Sequence, residues 1–291
     1  MYPAPIETYA APTTLAEALQ TLASHGSDAR CIAGGQSLMQ ALKSRLVQTK
    51  CLVDLQRIAE LKGIAVDDSG VRIGAMTRYR DIAADARLNG AYQALVDAAS
   101  HVGDRQVRNR GTIGGSLCWN YIAACMPPTT IGVGARLELA KRDGTRRTVS
   151  AEDFIRSPLE TAREEGEILV SIHLPALRGK AGSAYKKWGL VTDALPVIGV
   201  CAFVQLDGSG SCTSARFAVG GLASGPRRSR AAETALEGVK ASDTGAIAAA
   251  AKAAAAEIET QGDLWADQSY RKQLISTLGT EVIETAFARA G

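Results

Sequence analysis

Two glycine-rich segments carry the residue types that bind phosphate. Gly34-Gly35-Gln36-Ser37 lies between a short apolar run and a helix-like stretch, and Thr112 to Ser116 repeats the pattern of paired glycines followed by a hydroxyl residue. Glycine permits a sharp turn and leaves backbone N–H groups uncovered, and the start of a helix favours an anion. One such segment by itself is better explained as the turn that joins a strand to a helix. Two of them could close on one diphosphate, each supplying backbone N–H donors and a hydroxyl, so together they suggest a binding site.

The two segments differ from the common nucleotide-binding motifs. Neither has Gly-x-Gly-x-x-Gly spacing and no Gly-Lys-Ser/Thr is present, which disfavours an ordinary dinucleotide fold and a nucleoside triphosphatase. Neither contains a carboxylate or a lysine, which fits a bound cofactor better than hydrolysis of the phosphate. Arg105, Arg108 and Arg110 lie just upstream of the second segment. They could neutralise phosphate charge or form a solvated basic face.

Composition and charge limit the class of protein and the kind of partner that the sequence predicts. Hydrophobic residues make up 46% and charged residues 22% of the 291 residues, which predicts a folded globular protein. The formal net charge of +3 is too small to indicate nucleic acid or an anionic membrane as a partner. We find no secretory signal and no apolar run of membrane-spanning length, and we expect a cytoplasmic protein without a membrane span. The six cysteines form no Cys-x-x-Cys pair and the three histidines lie apart from them, so we expect reduced thiols and no metal site.

The elements around the first segment predict a small α/β unit over about residues 1–60. Thr13-Thr14 with Glu17 shortly after it predicts the start of an amphipathic helix that ends near Gly26. The elements that follow are a strand over 30–33, the glycine segment, a helix to about Leu46 and a buried strand over 51–55. This alternation of strand and helix places the glycine segment at a strand-to-helix turn.

The rest of the chain predicts an antiparallel subdomain and then a separate α+β domain. Alternating residues around 67–70 predict a hairpin, and Asp143-Gly144 suits the tight turn of a second hairpin. The other elements expected up to residue 176 are helices at 78–86 and 91–102, two strands within 135–155 and a strand over 166–175. The segment 176–184 has the composition of a surface connection, and we place the domain boundary there. Two strands around a Gly-Ser-Gly turn and Ala-rich helices over 229–259 and 268–290 follow it.

Five segments carry a resemblance to a known family: AGGQSLMQALKSRL, LVDLQRIAELKGI, IGAMTRYRDIA, QVRNRGTIGGSL and ARFAVGGLASGPRRSRAAETALEG. On these segments the chain resembles the FAD-binding medium subunit of the molybdenum hydroxylases, which form the xanthine oxidase family. Within this family it resembles the group that contains the medium subunits of carbon monoxide dehydrogenase, quinoline dehydrogenase and nicotine dehydrogenase. The resemblance implies an α+β fold in which 1–176 is an FAD-binding domain of the vanillyl-alcohol-oxidase (PCMH) type with subdomains of about 1–60 and 61–176. Residues 184–291 are then a smaller C-terminal α+β domain of the carbon monoxide dehydrogenase flavoprotein type. It also implies partners, namely a large molybdopterin subunit and a small subunit with two [2Fe-2S] clusters, usually in a dimer of heterotrimers.

The same resemblance assigns FAD-binding residues. Those that match the first FAD loop are Ile32, Ala33, Gly34, Gly35, Gln36, Ser37 and Leu38, and those that match the second are Thr112, Ile113, Gly114, Gly115 and Ser116. Both loops would hold the diphosphate. Leu169 matches an apolar residue near the adenine or the flavin, and a plain core strand explains it equally well. Either Lys186 or Lys187 matches a lysine close to the flavin ring, where a cation would stabilise the reduced cofactor.

Two positions depart from the family pattern. Cys125 stands where relatives have an acidic residue that hydrogen-bonds the sugar chain of the cofactor, and cysteine is a poor acceptor. FAD would then bind more weakly or use Asn120 instead. Leu195 stands where an aromatic residue often covers the flavin. Cys118 and Cys125 do not predict the additional [4Fe-4S] cluster of hydroxybenzoyl-CoA reductase relatives, because an inserted loop with four thiolates is absent from the sequence.

The resemblance implies an electron-transferring oxidoreductase subunit. Its FAD would take electrons from the [2Fe-2S] clusters of a partner and deliver them to an external acceptor, with no catalytic acid or base in this chain. A self-contained flavin oxidoreductase is an alternative, but it requires a positioned base that we do not find in the sequence. A scaffolding subunit with weakened flavin binding is a second alternative, suggested by Cys125 and Leu195.

Overall fold

The first subdomain is a parallel sheet that carries the first glycine loop. The computed structural model describes residues 5–177, 179–191 and 193–291. The elements of this subdomain are β1 (Thr8–Ala10), α1 (Leu15–His25), β2 (Ala29–Ile32), α2 (Leu38–Lys43) and β3 (Cys51–Asp54). The strand order is β1-β3-β2 and both pairings are parallel. Thr14 and Glu17 form a capping box at the start of α1, and Gly26 caps its end as predicted.

The second subdomain is built on a five-stranded antiparallel sheet of order β4-β5-β10-β6-β7. Its sheet strands are β4 (Ile64–Asp67), β5 (Gly70–Gly74), β6 (Arg136–Ala140), β7 (Arg146–Ser150) and β10 (Ile168–Pro175), and β8 (Ile155–Ser157) with β9 (Glu160–Thr161) forms a separate hairpin. Its helices are α3 (Tyr79–Ala83), α4 (Gln93–Ser100), α5 (Arg105–Arg110), α6 (Ile113–Trp119), α7 (Met126–Gly132) and α8 (Ala151–Phe154). Both predicted hairpins are present, as β4–β5 and β6–β7. The second glycine loop forms the start of α6.

The C-terminal domain is a four-stranded antiparallel sheet with helices packed against it, as the strand-then-helix pattern predicted. Its strands are β11 (Lys180–Trp188), β12 (Ile198–Leu206), β13 (Cys212–Gly220) and β14 (Arg227–Arg228), in that order. Its helices are α9 (Arg230–Ala235), α10 (Thr244–Glu257) and α11 (Gln268–Ala290). Phe217 of β13 and Ile275 and Phe287 of α11 are buried in its hydrophobic core. The protein therefore has the expected α+β fold.

Three element boundaries differ from the sequence expectation. The helix expected to reach Leu46 ends at Lys43, because Arg45 adopts a φ of +60° that a helix does not tolerate. The surface connection expected over 176–184 is shorter, because β11 already begins at Lys180 and pairs with Leu206 of β12. The single helical stretch expected over 229–259 is two helices, because the chain turns at Gly238, whose φ is +76°.

The two domains are joined by contacts of α4 with β11 and α11. Asp97 on α4 accepts hydrogen bonds from the Arg289 guanidinium of α11 at 2.6 Å and from the Tyr185 backbone N–H of β11 at 3.1 Å. Ser183 Oγ of β11 accepts from the Ala94 N–H of α4 at 3.0 Å. These contacts fix β11, and the loop that follows it, against the second subdomain. In the part of the chain that the structure describes, no helix is long and apolar enough to cross a membrane.

Candidate functional site

A cleft of about 830 Å³ lies between the two subdomains and the loop that joins β11 to β12. Its volume is in the range of cofactor and small-ligand sites. The predicted site residues that line it are Ala33, Gly34, Gly35, Gln36, Ser37, Leu38, Thr112, Gly114, Gly115, Ser116, Cys125, Leu169 and Lys187. The structure therefore brings both glycine loops and three of the more distant positions to one cavity.

The first glycine loop presents a row of free backbone donors. Within the described residues, none of the backbone N–H groups of 34–38 donates a hydrogen bond to a protein acceptor. The Ser37 side chain does not cap α2. Gly35 has a φ of +73°, a conformation that residues with a Cβ rarely adopt. Consecutive uncovered N–H groups in a sharp turn form a concave anion-binding surface, as a diphosphate requires.

The second glycine loop uses its N–H groups inside the protein. The four donors and their acceptors are Ile113 with Thr77 O (3.1 Å), Gly114 with Ala75 O (2.8 Å), Gly115 with Thr112 Oγ1 (3.1 Å) and Ser116 with Thr112 O (3.1 Å). The expectation that both loops supply N–H donors is therefore wrong for the second loop. The physical reason is that Thr112 caps α6 and the loop is hydrogen-bonded to the strand end before it. What this loop offers the cleft is the hydroxyl group of Ser116 and a close approach of its backbone.

The two loops touch each other through their glycines. A Cβ added to Gly34 would overlap the Arg110 carbonyl group and would lie 2.8 Å from Gly111 Cα. A Cβ added to Gly115 would lie 2.9 Å from Thr112 Oγ1 and 3.3 Å from Ala33 Cβ. At Gly34 the loops therefore approach more closely than a residue with a side chain would permit. At Gly115 the tightest contact is with Thr112 of the same loop, and the approach to Ala33 of the first loop is tight rather than an overlap.

Four predicted site residues do not line the cleft. Ile32 and Ile113 are buried in hydrophobic clusters behind the two loops. Asn120 is fully buried with a φ of +45° at the end of α6, and its Nδ2 donates to Ser157 O at 2.6 Å and to Glu160 O at 2.9 Å. The expectation that Asn120 replaces the missing carboxylate is wrong, because its amide group anchors the β8–β9 hairpin. The fourth residue is Lys186.

The structure separates the two candidate lysines. Because successive side chains of a strand point to opposite faces, Lys186 and Lys187 of β11 diverge. Lys186 is exposed and forms an ion pair with Glu281 of α11. Lys187 lines the cleft and its Nζ donates to Ala194 O at 2.6 Å. Lys187 is therefore the lysine that can act on a molecule in the cleft.

An ion pair between a buried carboxylate and a half-buried guanidinium supports the cleft wall near Leu169. Glu167 lines the cleft with 1% of its side chain exposed, and Arg147 binds its two carboxylate oxygens at 2.6 and 2.7 Å. Burial alone would raise the pKa of Glu167, but the hydrogen bonds from Arg147 and from the Glu164 N–H outweigh it and lower that pKa. Glu167 is therefore charged and structural, and it holds the turn that precedes Leu169.

Comparison with known families identifies the family to which the chain belongs. Residues 4–177 match the family described as the FAD binding domain in molybdopterin dehydrogenase. Residues 183–286 match the carbon monoxide dehydrogenase flavoprotein C-terminal domain. The carbon monoxide dehydrogenase medium chain of Hydrogenophaga pseudoflava is 36% identical over 97% of both chains. The chain belongs to the FAD-binding medium subunits of the molybdenum hydroxylases.

Solved structures and other relatives agree with this assignment. The medium subunit superimposes on a chain of a Hydrogenophaga pseudoflava carbon monoxide dehydrogenase with a TM-score of 0.92, covering 100% of each chain at 36% identity. Against quinoline 2-oxidoreductase from Pseudomonas putida 86 the TM-score is 0.91 at 31% identity, over 100% of this chain and 99% of that one. The xanthine dehydrogenase FAD-binding subunit of Escherichia coli O157:H7 is 30% identical over 98% of this chain and 97% of its own length. This medium subunit is therefore the flavoprotein component of an oxidoreductase.

The two positions that depart from the family pattern both lie at the cleft. Cys125 is 5% exposed, and burial raises the pKa of its thiol although Tyr185 and Lys187 oppose the shift. The thiol is therefore neutral. Leu195 lies on the cleft wall with 60% of its surface exposed. Cys125 therefore supplies no charge to the cleft of the medium subunit, and Leu195 supplies no aromatic ring.

Several residues that line the cleft were missed from the sequence. They are Tyr79, whose ring packs beneath the second loop, Cys31 and Cys118, which face Arg163, and the aromatic residues Trp119 and Tyr121. Burial raises the pKa of Cys31 to about 12 and that of Cys118 to about 11. Tyr79 lies within a segment that resembles the family, which is a usable signal. Arg163 lies shortly after β9, and its residue type alone gives no indication of a cleft position.

Proposed function

We propose that this medium subunit binds FAD in the cleft, receives electrons from a [2Fe-2S] cluster of a partner subunit and passes them to an external acceptor. Reversible two-electron reduction is the chemistry that FAD supplies when bound. The observation that carries the proposal is the row of free N–H groups at 34–38, which faces the hydroxyl of Ser116 in one cavity. The residues present fit the cofactor, because a diphosphate needs such donors and the close approach of glycine backbone.

The first loop would carry most of the diphosphate binding. Its donors are backbone groups held by the turn geometry of Gly35, so they need no side-chain reorganisation when an anion arrives. Ser116 would donate one further hydrogen bond through its hydroxyl. Gly34 would act by keeping the two loops in contact, since a side chain at this position would overlap the Arg110 carbonyl group and separate them.

The other part of the cleft would surround the flavin. Leu169 supplies a buried apolar wall, Lys187 a cation and Leu195 an exposed apolar edge. We find no carboxylate or histidine of this chain that needs to act as an acid or base for electron transfer. The hydroxylation chemistry would belong to the molybdenum-containing partner, and this chain would anchor the cofactor and leave one edge of it accessible.

The proposed assembly has a large molybdopterin subunit and a small iron–sulfur subunit, combined as a dimer of heterotrimers in the cytoplasm. Support comes from the names of the relatives, which include carbon monoxide dehydrogenase medium chains and a subunit of a 6-hydroxypseudooxynicotine dehydrogenase complex. The domains that we propose for this assembly are 1–176 for the cofactor and 184–291 for the C-terminal domain.

The test is to express the chain alone and together with its candidate partner subunits. We expect the purified chain to show the absorption bands of an oxidised flavin or to acquire them when FAD is added, and to co-purify with a molybdopterin and an iron–sulfur subunit. A chain that neither contains nor binds FAD would be a scaffolding subunit and would contradict the proposal. A chain that oxidises a small substrate without partners would instead be a self-contained flavin oxidoreductase.

A further inference from the structure

A second cavity, of about 420 Å³, lies between the start of β4 and α3. Its volume falls in the range of small-ligand sites. Met76 lines both this cavity and the larger cleft, and Ile64 supplies further apolar surface. The charged residues that line it are Lys62, Arg78, Arg80, Asp81, Asp85 and Arg87. We call this cavity the cationic pocket, because its cations outnumber its carboxylates by four to two.

Both carboxylates of the cationic pocket are already paired with neighbouring arginines. Asp85 accepts hydrogen bonds from Arg87 Nε at 2.8 Å and from Arg87 Nη2 at 2.6 Å. Asp81 accepts one from Arg80 Nε at 3.2 Å. Arg87 is also held by the Ile64 carbonyl oxygen, to which its Nη2 donates at 3.0 Å. The charges within these two pairs cancel, so the net charge of the pocket comes from its two remaining cations.

The remaining cations of the pocket are Lys62 and Arg78. Among residues 5–177, 179–191 and 193–291, neither side chain has a hydrogen-bond or ion-pair partner. Lys62 is exposed, whereas Arg78 is half-buried. A guanidinium that is partly removed from water without a partner loses hydration and gains no hydrogen bond in return. An anion that enters the pocket would supply that partner.

Backbone hydrogen bonds hold the two free cations on adjacent segments. The Gly63 carbonyl oxygen accepts from the Gly74 N–H at 2.9 Å and from Thr77 Oγ1 at 3.0 Å. Lys62 directly precedes Gly63, and Arg78 directly follows Thr77. The backbone positions of both cations are therefore set by the fold, which lowers the cost of ordering them around a ligand.

We infer that the cationic pocket binds the phosphate group of a small organic molecule through Arg78 and Lys62. A guanidinium can donate two parallel hydrogen bonds to a phosphate, and a lysine adds a compact positive charge. A phosphate monoester carries nearly two negative charges at neutral pH, which matches the two unpaired cations. The pocket is larger than a phosphate ion, and Ile64 and Met76 offer apolar surface to the rest of the molecule. This site is separate from the glycine loops and does not depend on FAD binding in the larger cleft.

The experiment is an NMR titration of the full ¹⁵N-labelled chain at constant ionic strength. The probes are inorganic phosphate, phenyl phosphate as an organic phosphate, and acetate as a singly charged control. We expect both phosphates to shift the backbone amide signals of 62–64 and 77–80, with phenyl phosphate binding at least as tightly as inorganic phosphate. Acetate should bind at least about tenfold more weakly, because it carries one charge and not two.

Substitutions then assign the binding to the two cations. Arg78→Met should raise the Kd for phenyl phosphate at least about tenfold, because it removes a charge-assisted hydrogen-bond donor. Lys62→Met removes an exposed charge, so a rise of about two- to fivefold is expected. Lys252→Met is the matched control, since Lys252 is exposed on α10 of the C-terminal domain, and it should retain the wild-type Kd. If Arg78→Met does not fold, Arg78→Lys keeps the charge and should still weaken binding, because it lacks the planar fork.

Three results would overturn the inference. The first is a titration in which phosphate shifts only the amide signals of 34–38, because the anion would then occupy the first glycine loop. The second is an unchanged Kd for phenyl phosphate in Lys62→Met and in the folded variant at position 78. The third is weaker binding of phenyl phosphate than of inorganic phosphate, which would exclude an organic phosphate as the ligand.

Discussion

Replacing Gly34 by alanine tests the contact between the two glycine loops. The new Cβ would lie 2.8 Å from both the Arg110 carbonyl carbon and Gly111 Cα, whereas carbon atoms pack at about 3.5–4.0 Å. The loops must therefore separate by about 1 Å, which costs the apoprotein about 1–3 kcal/mol as an overpacked contact. Loss of one hydrogen bond to a charged diphosphate costs a further 1.5–3 kcal/mol or so. We expect the Kd for FAD to rise about 10-fold to 150-fold.

The assay is a titration of apoprotein with FAD, followed by flavin fluorescence, together with chemical denaturation of the apoprotein. Gly208→Ala is the matched control, because a Cβ at Gly208 meets no atom within 4 Å. This control should bind FAD as the wild type does. A folded Gly34→Ala protein whose Kd lies within about twofold of the wild-type value would refute the claim that the two loops hold one diphosphate together.

Four further predictions concern charged residues of the cleft and of the elements that support it. Arg147→Met leaves the Glu167 carboxylate buried and unpaired, so the free energy of unfolding should fall by about 3 kcal/mol in chemical denaturation; an unchanged value would contradict the pairing. Because the pKa of Glu167 is lowered by folding, its stabilising contribution is complete above the unfolded pKa of about 4.3 and is lost as the pH falls through the folded pKa. The variant Glu167→Gln should therefore show a flatter stability profile than wild type in acid. Lys187→Met should weaken FAD binding. Lys186 is exposed, so Lys186→Met should change neither the FAD affinity nor the free energy of unfolding by more than about 0.5 kcal/mol. Equal effects of the two substitutions on FAD affinity would contradict the placement of Lys187, and not Lys186, at the cleft. Arg271→Met removes hydrogen bonds to two buried backbone oxygens at 2.6 and 2.9 Å, and a loss of about 3 kcal/mol is expected in the same denaturation assay.

Most of the fold could be predicted because local signals agree with the tertiary structure. The capping box at Thr14 and Glu17 and the tight turn at Asp143-Gly144 are determined by neighbouring residues, and both form where expected. The errors arise where contacts with residues distant in sequence determine the secondary structure. Lys180 belongs to a strand because it pairs with Leu206 of β12, although its own neighbours have the composition of a loop.

The site was predictable to the level of segments and not to the level of individual groups. The paired glycines indicated both loops, but sequence could not show that the N–H groups of the second loop are already bonded to Thr77, Ala75 and Thr112. Likewise, adjacent lysines look alike in sequence, and only the register of β11 against β12 assigns Lys187 to the cleft. Asn120 was misassigned because a polar side chain near a site can equally serve the fold.

The C-terminal domain forms part of the cleft wall. Lys187 and Leu195 line the cleft although both lie beyond the matched FAD-binding domain of 4–177. Arg271 of α11 donates to Val197 O at 2.6 Å and so holds the loop that carries Leu195. The loops that would hold the diphosphate belong to the two subdomains of the first domain, whereas Lys187 and Leu195 reach the same cleft from the C-terminal domain. Residues of both domains therefore shape the cleft in which we propose that FAD binds.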